Sequence, residues 1–288
     1  MFEEKKIAFI GPGAMAEAMI HGLIRCQVAQ PQSLLAAGPR QERLDQLHQK
    51  YAIPVYLDNP QAARQADVVV LSVKPQRMDR VLTGLKGAIS PSALVLSIVA
   101  GAAIGKISRG LSHPLVVRSM PNTPAQIGEG ITVWTASSGV SDEQMAMTRS
   151  ILGALGEEVF LEEEYYLDMA TALSGTGPAY VFLFMEAMVD AGVHLGFPRR
   201  IAERLVAQTV RGSVDYYNLR DDPVHLARLR NEVTSPGGTS AAALYYLEKA
   251  GFRTAISRAI WAAYERSIEL GKGASSRPPE QQNPGGGA

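Results

Sequence analysis

A single cysteine, Cys26, leaves no partner for an intrachain disulfide and excludes a multi-cysteine metal site. It falls in an apolar segment, where a small buried hydrophobe is the expected role rather than a reactive thiol. The five histidines, His21, His48, His113, His194 and His225, are scattered without the i, i+4 or Cys/His spacing of metal ligands, so no metal is expected. Excess charge of either sign is also missing. The 28 basic residues balance 28 acidic ones, which gives no basis for a nucleic-acid partner or an anionic membrane surface. There is no stretch of about 20 apolar residues, and the charged residues 1–6 lead straight into an apolar strand without the pattern of a signal peptide. No membrane partner and a cytoplasmic location are the expectations.

What is present describes a globular chain with a sizeable core: 46% hydrophobic and 19% charged residues over a length of 288 that suits two domains. In the first half, short apolar runs alternate with helical stretches. Residues 6–10, 34–37, 67–73, 94–100 and 115–119 read as strands, and 132–135 and 159–161 as edge strands. Residues 14–25 and 41–50 read as helices. Runs that are apolar throughout, separated by helices, predict a parallel sheet covered on both faces. That is an α/β fold, an N-terminal Rossmann doubly wound domain over residues 1–164. After Glu162-Glu163-Glu164 the texture becomes helical, with helices expected at 165–195, 198–219, 224–230, 239–249 and 252–270. This makes a second, all-helical domain over 165–274, whose surplus apolar face predicts burial in an oligomer. The tail, 275–288, is expected to be disordered.

The first strand ends in Gly11-Pro12-Gly13-Ala14-Met15-Ala16, a G-x-G-x-x-A turn opening a helix. Alone the pattern is weak, and a glycine turn without ligand would use the same residues; its strand-before, helix-after setting favours a dinucleotide. Gly11 permits the tight turn, Gly13 lets backbone approach a diphosphate, and Ala16 allows close helix–strand packing. The helix start at Ala14 and Met15 offers free N–H groups to the phosphates. An NAD-preferring fold would place a carboxylate at the end of the second strand. Here the strand ends Ala36-Ala37-Gly38-Pro39-Arg40, and the planar fork of Arg40 suits a 2′-phosphate, although Arg40 could simply precede the next helix. NADPH is therefore the expected cofactor, with NADH weaker. Ser72-Val73-Lys74-Pro75, Ala100-Gly101 and Met120-Pro121-Asn122-Thr123-Pro124 fall at carboxyl ends of strands, where this fold contacts ligands, although Pro, Gly and Asn are also ordinary turn residues. Cofactor candidates among them are Val73, Lys74, Pro75, Ala100, Gly101, Asn122 and Thr123. Asn122 could bond the nicotinamide carboxamide; Lys74 is either near the nicotinamide ribose or solvated.

In the helical half, Ser174-Gly175-Thr176-Gly177-Pro178-Ala179-Tyr180 interrupts a helical stretch, where each Gly costs about 1 kcal/mol and an interior Pro about 3 kcal/mol relative to Ala. Backbone exposed beside a ligand accounts for the cluster better than a packing kink does. Thr234-Ser235-Pro236-Gly237-Gly238-Thr239-Ser240 directly precedes a helix. Its free N–H groups and flanking hydroxyls make a nest for a carboxylate, so Ser235, Gly237, Gly238, Thr239 and Ser240 are substrate-binding candidates. A helix start capped by Ser235 or Thr239 is the plainer reading, and both can hold.

Residues 11–15, 72–75, 118–124, 174–180 and 232–240 together resemble the motifs of pyrroline-5-carboxylate reductases, in that family's order and spacing, across about residues 5–272. The resemblance implies a Rossmann domain joined to a helical dimerisation domain, and a homodimer of the kind that often assembles into larger rings such as a pentamer of dimers. The active site would lie between one subunit's cofactor domain and the intertwined helices of the dimer. It also implies NADPH-dependent hydride transfer to the C=N bond of 1-pyrroline-5-carboxylate, giving L-proline. The amides near Gly237, Gly238 and Thr239 would hold the substrate carboxylate, with the Ser240 hydroxyl as the catalytic group near the ring nitrogen. Thr176 replaces the family's usual Ser, and Ser240 stands where a Thr is usual. Residues 219–228 match poorly, so a polar group for the substrate nitrogen is not assigned there. A β-hydroxyacid dehydrogenase shares the layout but needs a lysine that residues 177–180 lack. A reductase of six-membered cyclic imines is a nearer alternative, and a nucleotide-sensing protein would have no need of the carboxylate nest.

Overall fold

The computed structural model describes residues 5–219 and 224–271. The tail expected to be disordered lies outside the described residues, as do residues 220–223 of the poorly matching segment. Strands β1 (Ile7–Ile10) and β2 (Leu34–Ala37) bury every residue, as a strand between two helical layers must. Helices α1 (Ala14–Arg25) and α2 (Gln41–Tyr51) follow them in turn. The order continues with β3 (Val55–Tyr56), α3 (Asn59–Ala63), β4 (Val68–Leu71), α4 (Met78–Leu85), β5 (Leu94–Ser97), α5 (Ile104–Leu111) and β6 (Val116–Met120). Alternate side chains leave opposite faces. Ile7, Phe9, Val68 and Val70 pack with Met19, Ile20 and Leu23 of α1. Ala8, Ile10, Val69 and Leu71 pack with Leu82 and Leu85 of α4 and Ile107 of α5.

The sheet runs β3-β2-β1-β4-β5-β6-β7-β8. Strand β7 (Gly130–Ala136) pairs antiparallel with β6, whereas every other neighbouring pair is parallel. Only the short helical turn Thr123–Ile127 lies between β6 and β7, too little chain for the crossover that a parallel partner requires. Helix α6 (Asp142–Gly153) then carries the chain to β8 (Gly156–Phe160). Of the two edge strands expected near 132–135 and 159–161, both are present and longer, but only β8 is at the edge; β7 is interior because β8 pairs along its outer side. Cys26, expected to be buried, is exposed: it caps the end of α1, where Gln27 turns into the left-handed region and takes the chain outward.

The expected helix over 165–195 is three pieces. Helix α7 (Tyr166–Ala170) is followed by one π-helical turn, Thr171–Gly175, and then by α8 (Gly177–His194). Thr171 and Ser174 donate to the carbonyls of Leu167 and Ala170, the local bonding that competes with a regular ladder. The chain divides into two compact units at Gly175/Thr176 and Ala263/Tyr264, so residues 165–175 pack with the sheet although their texture is helical. The reason is packing: Leu167 and Ala170 form a cluster with Val133 of β7.

The helical unit, Thr176–Ala263, contains α8, α9 (Arg199–Asn218), α10 (Leu226–Glu232), α11 (Thr239–Lys249) and the first part of α12 (Phe252–Gly271). Its own core is small: Val189 of α8 meets Ala202 and Val206 of α9. Large apolar side chains stay outside, with Phe182 62%, Leu183 67% and Trp261 60% exposed. Within the stretch Tyr166–His194 an 18-residue window reaches a mean hydropathy of 1.2, enough by length and composition to cross a membrane. The acidic residues Asp168, Glu186 and Asp190 within it obscure that run in the sequence.

Gly156 shows how tightly the far edge of the sheet is built. It has φ +132°, and a Cβ there would lie 2.1 Å from the carbonyl oxygen of Gly130, its partner on β7. Gly156→Ala should therefore cost about 2–4 kcal/mol from backbone strain and overpacking, read as a lowered midpoint in denaturant at fixed protein concentration.

Candidate active site

The glycine turn is held from both sides. Gly11 has φ +89°, and its N–H donates to Ala37 at 2.9 Å. The Ser72 hydroxyl bonds the carbonyls of Ile10 and Gly11 at 3.1 and 3.0 Å. A Cβ on Gly11 would stand 2.4 Å from Val73 Cγ1, so no other residue lets the loops after β1 and β4 close together. Gly13 is different: a Cβ there would come no closer than 3.9 Å to any protein atom. Its surroundings are open, as the approach of a ligand to the backbone requires. Gly13 is also the cap residue of α1, and no side chain among the described residues caps that helix. The first N–H groups of α1 are left for an anion, with Ala14 exposed and Met15 half-buried. A dinucleotide diphosphate fits this cradle.

Arg40 caps α2 with extended backbone, but its side chain is exposed and makes no capping bond. One turn later stands a residue that the motifs did not single out. Arg43 Nε donates to the Pro12 carbonyl at 2.9 Å, and Nη2 reaches the Gly13 carbonyl at 3.4 Å and the Glu17 carboxylate. Glu17 also accepts Lys50 Nζ at 2.8 Å and the Tyr51 hydroxyl at 3.1 Å. Burial alone would push the Glu17 carboxyl up, but hydrogen bonds from Lys50 and Arg43 outweigh it and hold it at about 2, against an ordinary value of 4.5. A groove of about 330 Å³ runs beside this network, lined by Ala14, Glu17, His21, Tyr51 and Gln126 among others. Nothing in the spacing of Glu17, Arg43 and Lys50 announces the network, because the pairing of β1 with β2 creates it.

The remaining loop candidates gather on the same sheet edge, since β1, β4, β5 and β6 are parallel neighbours. Val73 is half-buried against Gly11, Lys74 is exposed, and Pro75 opens a short helical turn. Ala100 is half-buried. Gly101 is buried at φ +71°, and a Cβ would meet the Gly271 nitrogen at 2.7 Å, so packing against α12 already explains this glycine. Asn122 is buried, and its Oδ1 accepts the Ile131 N–H at 3.0 Å, which shapes the turn into β7; Thr123 is exposed. Gly175 likewise has a packing cause, because a Cβ would lie 2.7 Å from Met120 Cε. Gly177 and Gly237 have no such neighbour.

In the helical unit, residues 235–240 form one tight turn. Gly237 has φ +71°, the Gly238 N–H donates to the Ser235 carbonyl at 3.1 Å, and a Cβ on Gly238 would strike Ser235 Oγ at 2.5 Å. Gly238 caps α11 with extended backbone and no side-chain bond from the described residues. The plainer expectation, a start capped by Ser235 or Thr239, is therefore not met. The amides of Thr239 and Ser240 open the helix, with Thr239 exposed and Ser240 half-buried. Among the described residues, no group of three or more His, Cys, Asp or Glu side chains could hold a metal ion.

Comparison with known proteins agrees with both halves. A family model described as pyrroline-5-carboxylate reductase dimerisation matches residues 164–270, and one described as NADP oxidoreductase, coenzyme F420-dependent, matches residues 6–101. The chain is 42% identical over 267 residues to a pyrroline-5-carboxylate reductase of Synechocystis sp., covering 93% of this chain and 98% of that one. It is 41% identical to that of Pseudomonas aeruginosa, covering 92% and 96%. Its fold matches the crystal structure of the Plasmodium falciparum pyrroline carboxylate reductase, solved with NADP bound, at a TM-score of 0.85 and 34% identity, covering 93% and 99%.

The depressed Glu17 carboxyl makes a pH prediction. A carboxylate held below its ordinary value contributes stability that is present above pH 4.5 and lost as pH falls from there toward about 2. The loss should be on the order of 1 kcal/mol, because water screens Glu17 and Arg43, whose side chains are 22% and 21% exposed. Glu17→Gln should flatten melting temperature across that window relative to the unaltered protein.

Proposed function

The chain belongs to the pyrroline-5-carboxylate reductase family, and we infer that it reduces 1-pyrroline-5-carboxylate to L-proline with NADPH. The observation that carries the substrate half is the open N-terminus of α11 at Gly238, whose amides no side chain of the described residues engages. NADPH is the source of the hydride. Gly11 and Gly13 give the diphosphate its approach, and the amides of Ala14 and Met15 receive its charge. Arg40, exposed and uncommitted to capping, grips the 2′-phosphate. Val73, Lys74, Pro75, Ala100 and Thr123 line the sheet edge toward the nicotinamide ribose. Gly101 contributes through backbone only. Asn122 has its oxygen engaged by Ile131, which leaves Nδ2 as the donor toward the carboxamide.

The substrate carboxylate is held by the amides of Thr239 and Ser240 in the turn that Ser235, Gly237 and Gly238 shape. The Ser240 hydroxyl orients the ring nitrogen or passes it a proton. A protonated imine is already electrophilic, so positioning and electrostatics supply most of the rate and no strongly acidic or basic side chain is demanded. The helical region is the oligomerisation region, and a second copy covers the apolar faces of α8 and its neighbours. The finer readings are a dimerisation domain over 165–274, a pentamer of dimers as the complete assembly, and a cytoplasmic location. The existence of a family-wide dimerisation model supports the first, and the unpartnered apolar surface of α8 supports an assembly larger than one chain.

Following NADPH absorbance with purified protein should show turnover with 1-pyrroline-5-carboxylate and less with the six-membered imine; none with either overturns the assignment. Ser240→Ala should lower kcat about tenfold to a hundredfold with the KM for NADPH unaltered. Arg40→Ala should raise that KM about tenfold, equivalent to about 1.4 kcal/mol, and leave the KM for NADH unchanged.

A further inference from the structure

Arg118 leaves β6 almost fully buried, 4% exposed, between two carboxylates. Its Nη1 donates to Glu164 Oε1 at 3.1 Å and its Nη2 to Asp168 Oδ1 at 2.8 Å. The same Glu164 oxygen accepts the N–H of Ile104 at 2.7 Å, at the start of α5. The same Asp168 oxygen accepts the hydroxyl of Ser267 in α12 at 2.7 Å. Ser267 is itself 2% exposed, and its carbonyl oxygen lies where a Cβ on Gly101 would come within 3.0 Å. Gly101 leads by three residues to Ile104, so the circuit closes: Arg118, Asp168, Ser267, the Gly101–Ile104 loop, Glu164 and back. Every member belongs to the sheet-bearing unit.

This circuit sits where the chain departs and returns. The chain leaves that unit after Gly175 and comes back at Tyr264, and the residues between include the Gly237–Ser240 turn. Asp168 lies just before the departure and Ser267 just after the return, and one hydrogen bond joins them. Both are fastened through Arg118 to β6, whose end delivers Met120 and Asn122. We propose that Arg118, Asp168 and Ser267 form a positioning joint for hydride transfer. They tie the chain on either side of the helical unit, Asp168 before it and Ser267 after it, to the Gly101 and Asn122 loops of the cofactor edge. The proposal rests on the reductase reading above. None of the three is a catalytic residue; they act through the loops they hold. The need for such a joint follows from the chemistry, because a reaction driven by placement tolerates little misplacement of its partners.

The test is Ser267→Ala, which removes one hydroxyl and leaves the Arg118 ion pairs in place, with Ser267→Thr as the conservative control. Steady-state kinetics, NADP+ affinity by fluorescence titration and thermal melting are measured on all three proteins. The expected result for Ser267→Ala is a kcat lowered about tenfold or more, an unaltered NADP+ affinity, and recovery of kcat in Ser267→Thr. A Ser267→Ala protein that melts earlier but turns over at the parental kcat gives the hydroxyl a purely structural role and overturns the joint. So does a loss confined to NADP+ affinity. An unaltered protein without turnover on any cyclic imine overturns the reductase reading instead, and the joint with it.

Discussion

The contact between Gly11 and Val73 constrains everything built on the sheet edge. β1 and β4 are parallel neighbours, and their loops must leave the same edge a few ångströms apart. They can do so because Gly11 has no side chain where Val73 packs, and because the Ser72 hydroxyl adds a second bond to the Ile10 and Gly11 carbonyls, which already accept the N–H groups of Ser72 and Gly13. From this point α1 starts with its amides open, Arg43 reaches the turn carbonyls, and Glu17 comes into range of Lys50. A residue larger than glycine at position 11 would push apart two strand ends, and the shift would reach the Arg43 network as well as the cradle.

Much of this arrangement is legible in the sequence because it is local. The strands 34–37 and 94–97 and the helix after Gly13 follow from continuous apolar runs and from glycine spacing, both of which survive without knowledge of neighbours. Arg40 and the absent carboxylate after β2 are legible for the same reason. What escapes the sequence is set by pairing across long separations. The reversed β7 depends on how little chain follows β6. The two-residue β3 is too short for any periodicity. Arg43 becomes a ligand of the Pro12 carbonyl only once α2 lies beside the turn. Gly101 and Gly175 carry glycine's signature for reasons of packing against Gly271 and Met120, and sequence alone cannot separate that cause from ligand approach.

The helical unit poses the opposite problem. Its helices are plain in the sequence, yet Val189, Ala202 and Val206 make a core far too small to stabilise five helical segments alone. Exposed Phe182, Leu183 and Trp261 carry the remaining apolar surface. At about 25 cal/mol per Å² of apolar area removed from water, covering such side chains with a second copy supplies stabilisation that a single chain lacks. Where folding and association of a unit are coupled in this way, its stability depends on protein concentration. The hydropathy that by composition alone would suit a membrane helix is equally the composition of a helix with an apolar face to cover.

A site of this kind has consequences for which residues matter. Neither the cradle at Gly13 nor the turn at Gly238 contains a side chain tuned for acid–base work; both expose main-chain N–H groups at uncapped helix starts. Main-chain donors cannot be improved by substitution of the residue that bears them, only by moving the backbone. What places the helix start at Gly13 is therefore the positive-φ Gly11 and the Ser72 and Arg43 bonds to the turn carbonyls. At Ser240 the hydroxyl comes without the methyl by which a threonine would restrict its rotamer. The rigidity a threonine would bring at that point then has to come from the turn itself, and Gly238, pressed against Ser235 Oγ, is where the turn is tightest.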